Sequence, residues 1–139
     1  PDLDVTTALR FHPFEIVLSV AIKSAAVWLF GMPAEAVVLF AVVLNGMAMF
    51  NHANLELPAT VDNWVRKLLV TPDMHRVHHS VIRREHDSNF GFNLSCWDRW
   101  FGSYRAQPER GHLGMELGLD ETKGQNIGSV VWMLKQPLQ

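Results

Sequence analysis

The chain has 139 residues, a formal net charge of −2 and a single cysteine. That length holds at most one domain, the charge gives no basis for a nucleic-acid partner, and one cysteine cannot form an internal disulfide. The near-neutral mean hydropathy hides an asymmetry: residues 13–50 carry three charged side chains (Glu15, Lys23, Glu35), whereas residues 62–112 carry fourteen. The chain opens at Pro1, with neither an initiator methionine nor a signal peptide, and is expected to be the C-terminal portion of a longer protein.

Residues 14–30 and 34–50 are apolar runs of 17 residues each, separated by Gly31, Met32 and Pro33. As helices they would be roughly 25 Å long, near the short limit for a bilayer span. Pro13 and Pro33 fall where proline is welcome, in the first turn of each helix. So short a turn makes the helices antiparallel neighbours, so that His12 and His52 emerge on the same membrane face. Lys23, in mid-run, must snorkel or face a bundle interior. A hairpin buried inside a soluble helical protein is the alternative. The fold class expected is all-α: a multi-pass membrane helical bundle with a cytosolic histidine-rich cap. Within residues 1–119, residues 13–51 form the hairpin and 52–119 the cap; residues 120–139 form a tail, with a short helix or strand at 127–134.

Residues 61–70 place Val61, Trp64, Val65, Leu68 and Leu69 on one helical stripe, with Arg66 and Lys67 opposite. This reads as an amphipathic helix in the membrane interface, Trp64 at headgroup depth and two cations facing acidic lipid; ordinary core packing explains the stripe almost as well. Eight Lys or Arg residues lie between Arg66 and Arg110, which assigns this segment to the cytosolic side. Cys96 reads as a buried small hydrophobe.

Thr71, Pro72 and Asp73 form a helix start: a capping hydroxyl, a proline at the first position and an acid at the positive dipole end. The helix they open carries His75, His78 and His79, so that three imidazoles point into one volume. Neutral imidazole in this density is a ligand set for iron, copper or zinc; a solvated His-rich turn is the alternative. Adjacent residues differ by about 100° around the axis, so one arrangement lets His75 and His79 share a metal while His78 reaches a second. With His52 at the same surface there are four strong histidines, too few for two coordination spheres. The remaining ligands are expected upstream of Pro1.

The strings Thr7-Ala8-Leu9-Arg10-Phe11-His12-Pro13-Phe14-Glu15, Phe50-Asn51-His52-Ala53-Asn54-Leu55, residues 71–80 around the histidine cluster, Asp87-Ser88-Asn89-Phe90-Gly91 and Trp97-Asp98-Arg99-Trp100-Phe101-Gly102-Ser103-Tyr104 together resemble the sterol desaturase/fatty acid hydroxylase superfamily. The resemblance covers about residues 5–119. It implies a multi-pass membrane oxygenase with a histidine-ligated dinuclear iron site on the cytosolic face, acting on lipid chains, sterols or related apolar molecules. His75, His78 and His79 match its last H-x-x-H-H box and His52 the isolated histidine before it; its first two boxes would precede this segment. Trp100 and Ser103 stand where the family usually has Leu and Thr, and Glu56 stands where some subfamilies have a second histidine, which puts a complete ligand match to those members in doubt.

The metal ligands expected are therefore His52, His75, His78 and His79. His12, Asn89 and Asp98 are expected to support them, Asp98 by accepting a ligand's second N–H or else by pairing with Arg99 or Arg105. His86 reads as a solvated loop residue, and His112 as a surface or supporting one. Phe90, Phe92, Trp97, Trp100, Phe101 and Tyr104 read as packing the cap onto the membrane helices, with some lining a lipid channel. The function expected is O2-dependent hydroxylation or desaturation of an apolar lipid, because unactivated C–H bonds lie beyond side-chain acid–base chemistry. The chain has no nucleotide-binding fingerprint and no Cys-rich cluster, so the resemblance implies an electron donor such as a ferredoxin, a cytochrome b5-type protein or a reductase. A zinc-dependent membrane hydrolase is the alternative, although H-E-x-x-H is absent; a haem-binding or structural membrane protein would want histidines within the spans.

Overall fold

A computed structural model describes residues 3–9, 11–118 and 134–135. These residues form two long helices followed by five short ones, after a single 3₁₀ turn at Val5–Leu9. Helix α1 (Pro13–Phe30) begins where His12, in extended conformation, accepts the Phe14 N–H on Nδ1 at 3.2 Å. It stops at Gly31, whose φ of 60° returns its N–H to the Val27 carbonyl, a left-handed cap that glycine adopts without a Cβ clash. Helix α2 (Ala34–Asn51) follows, with Pro33 at its N-cap rather than inside its first turn and His52 at its C-cap.

None of the side chains of α1 is buried, and in α2 only Ala48 and Asn51 are. Trp28 is 85% exposed and Leu29 70%. Both helices are long and apolar enough to cross a membrane, and their side chains are those of a hairpin that meets an apolar medium. A hairpin hidden in a soluble core is not what the described residues form.

The cap holds α3 (Ala59–Val65), α4 (Pro72–His78), α5 (Arg83–His86), α6 (Cys96–Phe101) and α7 (Gly111–Gly114). The interfacial helix expected at 61–70 is shorter and differently faced. It ends at Val65, after which Leu69 pairs as an isolated bridge with Leu94. Trp64 and Leu68 are exposed as expected, and Lys67 lies over the Trp64 ring at 3.8 Å. Arg66, in contrast, is buried against Asp62 and donates to the Ala106 carbonyl at 2.9 Å. Four residues apart on one helical face, the carboxylate and guanidinium compensate each other's charge away from water.

Val70, Met74 and Val77 are fully buried, in company with Asn51, Thr71, Glu85, Asn89, Ser95 and Asp98. A core this polar stands only on its hydrogen bonds. The Asp98 carboxylate receives the backbone N–H groups of Phe90 (2.7 Å) and Gly91 (2.9 Å) and the Ser103 hydroxyl (2.7 Å). Gly91 is required there: a Cβ would sit 2.6 Å from Asp98 Oδ2 and 2.9 Å from the Leu94 carbonyl oxygen. The expected tail at 120–139, with its short element at 127–134, lies outside the described residues except for 134–135.

Candidate metal centre

Helix α4 is built as its sequence dictates. Thr71 caps it by accepting the Met74 N–H at 3.4 Å, Pro72 takes the first position, and Asp73 sits in the first turn, paired with Arg76 at 2.6 Å. Asn89, at φ 49°, locks the helix to the cap. Its amide donates to the Met74 and Arg105 carbonyls, both at 2.8 Å, and its oxygen accepts the Arg105 N–H at 2.9 Å.

This scaffold and the end of α2 bring three imidazoles together. His52, His75 and His79 each offer a ring nitrogen, and the three lie within 4.8 Å of one another. His75 Nε2 is 3.3 Å from His52 Nε2 and 3.1 Å from His79 Nε2. His52 Nδ1–H donates to the Ala48 carbonyl at 2.7 Å. A carbonyl only accepts, so the Nδ1 proton is fixed and His52 Nε2 presents a lone pair to the cluster. His75 Nδ1 is buried without a partner.

Burial holds His75 well below its ordinary pKa, reinforced by His79, His52 and His78. Burial first, then His78, His52 and His86, pushes His79 down to about 3. These rings are therefore neutral at physiological pH, the form that ligates a metal. Three imidazole nitrogens thus converge on one point, and that of His52 presents a lone pair to it. A divalent transition-metal ion accepts all three lone pairs at once, so the donor set fits such an ion.

His78 stands outside this trio of converging nitrogens, although its ring centroid is 5.7 Å from that of His75. Its Nδ1–H donates to the Ser88 carbonyl at 3.0 Å, and its ring stacks on His86 with centroids 5.1 Å apart and planes 14° apart. The His79 ring is 5.4 Å away. Burial lowers the His78 pKa against the opposing effect of the Ser88 hydrogen bond. The divergence expected from the helical step is thus seen, with His75 and His79 together and His78 apart.

The supporting residues depart from expectation. Asp98 accepts from two backbone amides and a hydroxyl, so it organises the 90–103 loop; the acceptors of imidazole N–H groups are the Ala48 and Ser88 carbonyls instead. Nor does it pair with Arg99, which donates to the Arg66 carbonyl and stacks on Tyr104. Asn89 acts through the backbone of α4, and His12 is the N-cap of α1. His86 is half-buried against His78, not solvated. It sits eight residues beyond His78, outside any ligand spacing, and only the single-turn α5 folds it back. Carbonyl partners such as that of Ser88 leave no trace in side-chain sequence.

A helical chain with a membrane-length hairpin and a buried polyhistidine cluster at its base defines a membrane-type protein with a candidate metal centre. A family profile described as fatty acid hydroxylase matches residues 1–103. The chain belongs to the fatty acid hydroxylase family. It is also similar to the ornithine lipid hydroxylase OlsE of Rhizobium tropici, with 26% identity over 99 residues, 71% of this chain and 29% of that protein. The chain thus spans less than a third of this curated relative. No solved structure matches it.

Proposed function

We propose that the whole protein is an integral-membrane, non-haem di-iron oxygenase that hydroxylates or desaturates a lipid with O2. The observation that carries this reading is the convergence of His52, His75 and His79 nitrogens at the base of an exposed apolar hairpin, in a member of the fatty acid hydroxylase family. The name of the similar Rhizobium protein supports a lipid as substrate. In this reading His52, His75 and His79 would hold one iron and His78 would contribute to a second. Such an iron pair, once reduced, supplies the O2 activation that breaking an unactivated C–H bond requires.

The chain's own residues do the rest. The Ala48 and Ser88 carbonyls hold His52 and His78 in the tautomer that ligates through Nε2. Asn89 fixes the ligand-bearing helix, and the hairpin presents the apolar substrate from the bilayer. Two electrons per turnover come from a donor protein: a ferredoxin, a cytochrome b5-type protein or a reductase. The test is full-length protein in membranes supplied with ¹⁸O2 and reductant, with lipid extracts read by mass spectrometry. New lipid species carrying ¹⁸O, or lipid newly unsaturated, are expected. Lipid cleavage that is independent of O2 would instead establish a zinc-dependent hydrolase.

A further inference from the structure

Two cavities beside the C-terminal part of α2 share a wall. One, about 250 Å³, runs between α1 and α2 past Ile16, Val20, Leu44 and Ala48 and ends on Phe92. The other, about 520 Å³, lies between α2 and the cap beside Phe90, Trp97 and Phe101, and is bounded by the same Leu44 and Phe92. The Phe92 ring stands 6.5 Å from the His52 ring and 6.0 Å from the His75 ring, centroid to centroid. Its backbone is clamped, because buried Asn51, next to His52 in sequence, donates to the Phe92 carbonyl at 2.6 Å. The same residue pair thus ties the wall of the cavities to the end of the helix that carries His52.

We propose that the groove between α1 and α2 holds the acyl chain of a membrane lipid, and that Phe92 is the specificity-determining residue that sets which carbon lies against the histidine cluster. The groove is formed by helices whose other faces are the apolar, exposed surface of the hairpin, so a lipid chain is the molecule it meets from the bilayer. Glu15, Ser19 and Lys23 recur every four residues and therefore lie on one face of α1, beside Asn45 of α2, so the groove carries a polar strip along its otherwise apolar wall. A chain advancing along the groove stops at the Phe92 ring, and its stopping point fixes its register. Removing the ring joins the two cavities and lets the chain run on toward Phe90 and Trp97.

This inference rests on the lipid-oxidation reading for its product, but the groove itself is testable without turnover. Full-length protein, stripped of metal by chelator and placed in vesicles containing a phospholipid with a diazirine in its acyl chain, is irradiated and its crosslinks mapped. Crosslinks at Ile16, Val20, Leu44 or Phe92 are expected; crosslinks confined to other surfaces would overturn the groove assignment whether or not the protein oxidises lipid. In the metal-loaded protein, Phe92→Ala shifts the oxidised position along the chain by one or more carbons with metal content unchanged, and Phe92→Leu shifts it less. An unchanged product position in both variants overturns the role of Phe92. So does loss of metal in both, which would make Phe92 a packing residue. Absence of lipid oxidation by the unsubstituted protein would count against the reaction and leave the crosslinking result standing.

Discussion

At the scale of single side chains, protonation decides what the histidines can do. His52 carries its proton on Nδ1 because only a carbonyl faces that nitrogen, and His75 and His79 are neutral because burial resists their charging. This has a stability consequence of definite sign. Below about pH 6.5 an unfolded chain binds protons that the folded rings refuse, so the contribution is present above that pH and lost as pH falls toward the folded value, about 3 for His79. Metal-free full-length protein should therefore lose up to roughly 1.4 kcal/mol of stability per pH unit for each such ring between pH 7 and pH 5, read as a falling Tm. A Tm that rises with acidification in this window would contradict the burial of the cluster. His86→Ala should leave most activity, since the carbonyl of Ser88, and not the His86 side chain, fixes the tautomer of His78. Loss of turnover in this variant, with metal retained, would show that the stacked ring does more than pack.

At the scale of elements, much of the site is local and was legible from the residues. The capping Thr71, the Pro72 start and the three- and four-residue spacings together predict α4 and the separation of His78 from His75 and His79. The hairpin is equally legible, since two apolar runs around a glycine need no tertiary information. What was not legible depends on contacts between distant residues. Arg66 looks like a lipid-facing cation until Asp62 and the Ala106 carbonyl are seen to enclose it, and Asp98 looks like a histidine partner until the 90–103 loop closes around it. The loop offers its own test. Gly91→Ala pushes a methyl group to within 2.6 Å of Asp98 Oδ2, a clash with a carboxylate held by three hydrogen bonds. It should destabilise the full-length protein by about 1–3 kcal/mol, read as a lower Tm. A Tm equal to that of the unsubstituted protein would show that the loop can move aside.

At the scale of the whole molecule, the account joins an exposed apolar hairpin to a polar, hydrogen-bonded cap through the end of α2. Trp64 on α3 and Trp97, Trp100 and Phe101 on α6 are exposed on that cap, and exposed tryptophan favours the headgroup layer. The arrangement requires the turn at residues 31–33 and the cap to lie on opposite sides of the bilayer. In full-length protein with Cys96 replaced, single cysteines at positions 32 and 84 should react with a membrane-impermeant reagent from opposite faces. Reaction of both from one face would mean that the hairpin does not span. The central claim, that these histidines hold the metal on which lipid oxidation depends, is tested most directly by measuring metal per full-length chain by inductively coupled plasma mass spectrometry. Singly substituted His52→Ala, His75→Ala and His79→Ala proteins should each retain less than half the iron of the unsubstituted protein and lose turnover, whereas His86→Ala keeps both. Iron content and lipid oxidation that survive in all three variants would contradict it.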